Sequence, residues 1–514
     1  MENCDAARKL FAMAAPEGIL PSLRRTLKPM KFRVRHKSTV VPAGLALLLV
    51  LLPAATVNAA ESVGSTLTTA RTAAGQYISW VEHIIDDPVI AGFNLNGSDG
   101  LVMADLDLDG YEDIVSVHES DSTYDSAEYQ PGFVAPADGT VRIAFGTADP
   151  DRWVNITVAS GSDAPAPEDA DIADVNGDGF PDIMVAAELS HLIYLQNPGR
   201  DARSLEWPRL ILPMTQGRGS FIRVFFADFD GDGRPEAVAP NKGAQIPGPA
   251  DFAVSNPVAI YQASGDPLRG DNWTETQLGR YSVPQNSEPV DLDGDGDMDI
   301  VVGTRGEDRL LWFENLGTRP PSFREHALGI NGTRAAGFNL EYADLSGDGR
   351  LDIVGATPGG LSWLEQPAVL DDAWNAHFIG TFLPDSVTGL ELADIDGDGD
   401  MDVMVGSYSR GDRLEDDATL TANDALGRLG WFENPSDATQ PWTRHDISRR
   451  KRGMFDKFIA RDVDGDGDMD FLGTRGNSAP YDGVFWLEQR RTATAQPNFT
   501  AARARDSEEM PLPN

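Results

Sequence analysis

The sequence predicts an all-β fold: a seven-bladed β-propeller of four-stranded antiparallel blades, closed by an N-terminal strand that completes the last blade. Three observations predict it. An acidic nine-residue loop that runs directly into an apolar strand occurs seven times, beginning at Asp105, Asp174, Asp228, Asp291, Asp344, Asp394 and Asp462. The spacings of 50 to 69 residues are those of a repeat architecture rather than of scattered motifs. Each repeat also holds enough short β-rich segments for one blade, and the end segments complement each other.

The acid loop comes first in each repeat. In the fourth copy, Asp291-Leu-Asp293-Gly-Asp295-Gly296-Asp-Met-Asp299 leads into Ile300, Val301 and Val302. Carboxylates at positions 1, 3, 5 and 9 surround one hard cation with oxygen, and glycine at position 6 permits the sharp turn. A helical EF-hand would need a bidentate Glu at position 12; Ser116 and Val302 stand there in the first and fourth copies, and the flanks are short, β-rich and glycine-ended. The expected cofactor is calcium, up to seven structural ions. The expected ligands are Asp105, Asp107, Asp109 and Asp113; Asp174, Asn176, Asp178 and Asp182; Asp228, Asp230, Asp232 and Glu236; Asp291, Asp293, Asp295 and Asp299; Asp344, Ser346, Asp348 and Asp352; Asp394, Asp396, Asp398 and Asp402; and Asp462, Asp464, Asp466 and Asp470.

The remaining strands follow in order. An apolar run such as Phe221 to Phe226 precedes each loop. After the loop and its strand comes a second signature, as in Leu311-Trp-Phe-Glu-Asn315, Leu361-Ser-Trp-Leu-Glu-Gln366, Leu429-Gly-Trp-Phe-Glu-Asn434 and Val484-Phe-Trp-Leu-Glu-Gln489. A fourth strand carries histidine, as in Trp374-Asn-Ala-His377 and Trp442-Thr-Arg-His445, with Phe323-Arg-Glu-His326 as a variant. The last repeat lacks that strand, and Trp80-Val-Glu-His83 near the other end of the chain fits the vacancy. One shared blade would lock the ring and remove the open sheet edges that invite aggregation. His83, His326, His377 and His445 recur at one position of different blades, and Trp312, Trp363, Trp431 and Trp486 recur likewise. Both sets read as packing, since outer strands cannot bring four histidines to one zinc ion.

Composition supplies an address. Lys31, Arg33, Arg35 and Lys37 precede an apolar run whose core, Gly44 to Leu52, is short for a membrane span, and Val57-Asn58-Ala59 offers small residues for cleavage. Residues 1–60 therefore read as a signal peptide region, with Met30 a possible true start; an uncleaved anchor is the alternative. Residues 61–490 form the propeller and 491–514 a flexible tail. The expected location is secreted, extracellular or periplasmic, with no stable membrane span after cleavage. Without residues 1–60 the 42 basic and 81 acidic residues fall to 33 and 78, a formal charge of −45. Such self-repulsion calls for bound counterions and excludes nucleic acid as a partner of the surface as a whole.

With loops, glycine-ended strands and count in place, residues 75 to 490 resemble the FG-GAP or VCBS repeat propellers, the family that includes the head of integrin α chains. Gly303-Thr304 and Gly355-Ala356-Thr357 stand where the family writes Gly-Ala-Pro. Leu108 departs from the usual fourth-position glycine. The resemblance implies acid loops on one face, so that second-to-third and blade-to-blade loops emerge on the other.

That opposite face carries the functional expectation. Lys242, Arg305, Arg410, Arg413, Arg475 and Arg450, the last within the run Arg449-Arg450-Lys451-Arg452, are the expected ligand-binding residues for an anionic glycan. Loops 118 to 138, 240 to 257 and 407 to 428 depart in length or content and are candidates for specificity. Tyr124 and Tyr129 lie in the first of them. A polysaccharide lyase acting on uronic-acid polymers is the enzymatic alternative, with His118, Tyr408 and Arg410 as candidates for moving protons and neutralising a carboxylate. An integrin-like module binding a cell-surface protein is the other. No nucleophile elbow, P-loop, dinucleotide fingerprint or zinc-protease helix is present.

Overall fold

The computed structural model describes residues 61–119, 138–204, 206–410, 413–504 and 506–513. The chain divides into two units, residues 1–58 and 59–514, and the description below concerns the second. The expected signal region, with Met30, lies outside the described residues, as do Tyr124 and Tyr129.

Seven sheets form the ring, each with four antiparallel strands that follow the same local logic; short parallel strands extend the fifth and the seventh. In the fourth blade, Pro284–Val290 is innermost; the acid loop turns the chain into Asp299–Thr304, followed by Arg309–Asn315 and the outer strand Phe323–Leu328. Second strands are buried along their whole length, except at the end of Asp352–Thr357 in the fifth blade, because each contributes to two interfaces. Ile183 and Val185 face the first blade, whereas Met184 and Ala186 face the third. Seven apolar clusters result, one between each pair of neighbouring blades. Trp312, Trp363, Trp431 and Trp486 lie in four of these clusters. Burial of this kind contributes roughly 25 cal/mol per Å² of apolar surface, so the interfaces between blades are the core of the protein.

The seventh blade closes the ring as the sequence predicts. Tyr77–Asp86 pairs antiparallel with Gly483–Thr492, with His83 opposite Trp486. The recurring histidines stack on the recurring tryptophans at centroid distances of 4.2 to 4.5 Å. In each pair the histidine Nε2 also meets the glutamate two residues after the tryptophan: Glu488, Glu314, Glu365 or Glu433. Alternation along the strand puts Trp and Glu on one side, and register places His across from them.

The expectation of a flexible tail is corrected. Phe499–Thr500 adds a fifth, parallel strand outside Tyr77–Asp86. Beyond it Asp506 accepts from Arg475 at 2.5 Å and Arg450 at 2.8 Å, Glu508 pairs with Lys451 at 2.8 Å, and the Met510 amide donates to the Arg449 carbonyl. An aperiodic tail is held here by charge, which strand periodicity does not reveal. Among the described residues no helix is long and apolar enough to cross a membrane.

Candidate functional site

Two features carry chemistry, one on each face of the ring. On the first, the acid loops organise themselves by hydrogen bonds to their own backbone. The position 1 carboxylate accepts from the amide of position 6 in every loop and from that of position 5 in five of them, as Asp105 does from Gly110 at 2.9 Å and Asp109 at 3.0 Å. The position 9 carboxylate is bolted twice: Asp299 accepts from Leu292 at 3.2 Å and from Asn315, at the end of the third strand, at 2.7 Å. In four blades the Asn or Gln that ends this third-strand signature, with Tyr194 in place of the tryptophan in the second blade, reaches into the preceding blade. Asn197, Asn315, Gln366 and Gln489 donate to the carbonyls of Leu106, Phe229, Leu292 and Ile395, each at position 2 of the neighbouring loop. One short motif therefore fixes its own loop and the one before it.

The donor set of these loops fits a hard cation. Asp105, Asp107 and Asp113, then Asp228, Asp230 and Asp232, then Asp291, Asp293 and Asp295, then Asp394, Asp396 and Asp402 each offer oxygens within 4.8 Å of one another. One buried oxygen of Asp291 has no hydrogen-bond partner. Burial pushes Asp113, Asp299 and Asp470 up to about 7 and Asp402 to about 8, with the neighbouring loop carboxylates adding to the rise. The loops also differ. Arg203 pairs with Asp107 and, at 2.7 Å, with Asp109, placing an organic cation against the first loop; Arg350 does the same to Asp348 in the fifth. Leu108 holds φ +58 where Gly294 holds +74, a left-handed position that costs a residue with a Cβ about 1–2 kcal/mol.

On the opposite face an open pocket of about 360 Å³ lies where the inner strands and the second-to-third loops meet. Its charge is divided by blade. The first and second blades contribute Asp99, Glu119, Glu168 and Glu188; the fourth and sixth contribute Arg305 and Arg410; Lys242 comes from the third and Asp456 from the seventh. Phe338, Ile222, Met454 and Tyr408 supply apolar surface. Arg223 bridges Asp169 at 3.5 Å and Asp456, itself on the pocket lining, at 3.4 Å. Arg223, Lys457 and Glu288 line a second, smaller cavity, where Glu288 with Glu341 holds the lysine above its ordinary range against the effect of burial.

Arg305, Arg410 and Lys242 of the expected ligand residues line this pocket. Lys242 is spent on an ion pair with Glu188. Arg413 stands behind the wall, donating to the Tyr408 hydroxyl at 2.6 Å. Arg450 and Arg475 are corrected: both are buried, and both pair with Glu82 and Asp506. The neighbouring Arg449 is held by both oxygens of Asp385 at 2.7 and 2.8 Å, and Arg452 by Asp416 at 2.9 Å. The basic run is thus an internal anchor. The candidate role of His118 is corrected too. The ring is 1% exposed, lies between Ser98 at 2.7 Å and Ser116 at 3.1 Å, and is pushed down to about 3 by burial with help from Arg142. It is held neutral, away from the pocket lining.

Sequence reasoning passed over Asp99, Glu168 and Phe338. They lie on or beside inner strands; Asp99 stands just before an apolar run, but Glu168 is followed by Asp169-Ala170-Asp171 and no spacing marks it.

Comparison with known proteins places the repeats. FG-GAP-like repeats match residues 291–355 and 344–405. No curated protein matches the chain. Among solved structures, an Agrocybe aegerita lectin recognising non-reducing terminal N-acetylglucosamine is 15% identical with a TM-score of 0.43, over 81% of this chain and 96% of that one. The rhamnogalacturonan lyase YesW is 12% identical with a TM-score of 0.41, over 87% and 77% of the two chains. BBS1N in complex with ARL6DN is 10% identical with a TM-score of 0.42, over 79% and 95%. At such scores these likenesses say nothing of what this chain binds.

Proposed function

We propose that this protein, a member of the FG-GAP repeat propellers, is an exported, calcium-braced recognition module that takes an anionic glycan in the pocket opposite its acid loops. The acid loops would hold the structural ions through their position 1, 3, 5 and 9 side chains. Bound calcium supplies the positive charge that clustered carboxylates lack.

The observation that carries the reading is the divided pocket. Its volume lies within the roughly 300–1,000 Å³ of small-molecule sites. Arg305 forms no ion pair among the described residues, sits over Phe252, and is held below its ordinary range by burial. An unpaired guanidinium in such a setting favours an anion, such as a uronate carboxylate or a sulfate. The carboxylates across the pocket accept from hydroxyl groups, and Phe338 and Tyr408 present apolar surface to a sugar ring. The lyase alternative loses its histidine, because His118 is buried and neutral.

A glycan array in millimolar calcium tests the reading. Polyuronates or sulfated glycans are expected to bind without forming unsaturated products. Replacing both Arg305 and Arg410 with Ala should weaken binding about tenfold for each residue. Silence on every acidic glycan would discard the proposal and turn the search to protein partners.

A further inference from the structure

The pocket holds a group of carboxylates that the acid-loop repeat does not account for. Asp99 lies on the inner strand Ser98–Ala104, Glu119 follows Asp113–His118, and Glu168 lies on Pro167–Ala173. Their exposures are 2%, 2% and 7%, yet each offers an oxygen within 4.8 Å of the others. Glu188, 3% exposed, stands with them along the same wall.

Several other buried acids are paired with arginine: Glu82 with Arg450 and Arg475, Asp385 with Arg449, and Asp86 with Arg142. This group is treated differently. Lys242 takes one oxygen of Glu188, and Arg413 acts on Asp99 and Glu119 through space. One oxygen each of Asp99, Glu119 and Glu188 is buried with no hydrogen-bond partner. A buried carboxylate oxygen without a partner costs several kcal/mol unless a proton or a cation answers it. Here three such oxygens come from side chains that line one open pocket.

We infer that Asp99, Glu119 and Glu168, with Glu188 beside them, form a calcium site in the pocket, separate from the acid loops. All donors are carboxylate oxygens, the set that hard divalent cations take. Oxygens within 4.8 Å of one another can share a single ion at about 2.4 Å from each. The ion's remaining coordination positions face the pocket, where a carboxylate or paired hydroxyls of a ligand would complete them. A bound cation would also reverse the charge of the acidic wall. The inference stands whether or not a glycan is the ligand.

Terbium, a luminescent calcium mimic with strong anomalous scattering, is the probe. Crystals of the protein grown with terbium are expected to show an anomalous peak among Asp99, Glu119 and Glu168 in addition to any peaks at the acid loops. A map with loop peaks and none in the pocket, or with no peaks at all, overturns the site. In solution, calorimetric titration with calcium should count one equivalent fewer in the Glu119→Gln, Glu168→Gln double variant than in the parent. An unchanged count in a variant that keeps its parent's circular dichroism would also overturn it. Should that variant fail to fold, the parent crystals decide alone. Because glycan binding is tested separately through Arg305 and Arg410, failure of one reading leaves the other intact.

Discussion

The two faces of the ring solve the same electrostatic problem in different ways. On the acid-loop face, clustered carboxylates belong to one nine-residue stretch and are tied to that stretch's own amides, as Asp105 is to Asp109 and Gly110. On the pocket face, charges meet across the chain, as when Arg450 and Arg475 reach Glu82 some 368 and 393 residues away. The difference teaches where each face is vulnerable. The first should fail when its counterions are removed, and the second when a single distant partner is lost.

Chelation should have the largest effect. A cation site occupied at a hundred times its dissociation constant contributes about 2.7 kcal/mol, and several calcium-holding loops, as proposed, would act together. EDTA should therefore lower the unfolding temperature by many degrees; an unchanged melt would remove calcium from the account. The sign of the pH dependence sharpens the point. Asp113, Asp299, Asp402 and Asp470 have folded values raised to about 7 or 8, above their unfolded value. Without metal the folded state binds the extra protons, so their contribution is present below pH 4 and lost as pH rises through 7 to 8. In EDTA, acidification from pH 8 to 6 should raise the melting temperature, and saturating calcium should flatten that slope.

Next comes the charge-locked face. Arg475→Ala leaves Glu82 and Asp506 short of a buried partner and should cost about 3–5 kcal/mol in denaturant unfolding. Ending the chain at residue 496 should cost at least as much, since it removes Asp506 and Glu509 together. Arg305→Ala, on the same face but without an ion pair among the described residues, should leave the unfolding midpoint in place. Equal losses in Arg305→Ala and Arg475→Ala would erase the distinction between ligand-facing and structural cations.

A smaller effect should cross between blades. Gln366→Ala removes a buried hydrogen bond to Leu292 and should cost roughly 1–2 kcal/mol. Its signature would be weaker cation binding at the loop of Asp291, one blade away, which titration of the variant would detect.

The smallest expected change is a gain. Leu108→Gly relieves a left-handed backbone at an exposed position and should stabilise the protein by up to about 1 kcal/mol. A loss of stability would show that the leucine side chain contributes more than its backbone costs.

Much of the fold was legible because its logic is local and repeated. The acid loop, its apolar strand, the tryptophan signature and the histidine strand lie within one repeat, and periodicity of two sets their faces. Even ring closure followed, since Trp80-Val-Glu-His83 repeats a pattern that the last blade lacks. The candidate site was only partly legible. Arg305, Arg410 and Lys242 fall in the pocket because loop position alone sends them to that face. His118, Arg450 and Arg475, expected in the same loops, end the strands Asp113–His118, Thr443–Arg450 and Asp470–Arg475, where burial and, for the arginines, distant carboxylates remove them from the pocket. The sequence by itself determined the blades, their number and the acid loops, because hydrogen bonds and side-chain alternation act over a few residues. Only the tertiary structure decided which cations are locked inside, that the tail is a strap, and that Asp99, Glu119 and Glu168 converge. Ion pairing and desolvation depend on distance in space, and no spacing along the chain encodes it.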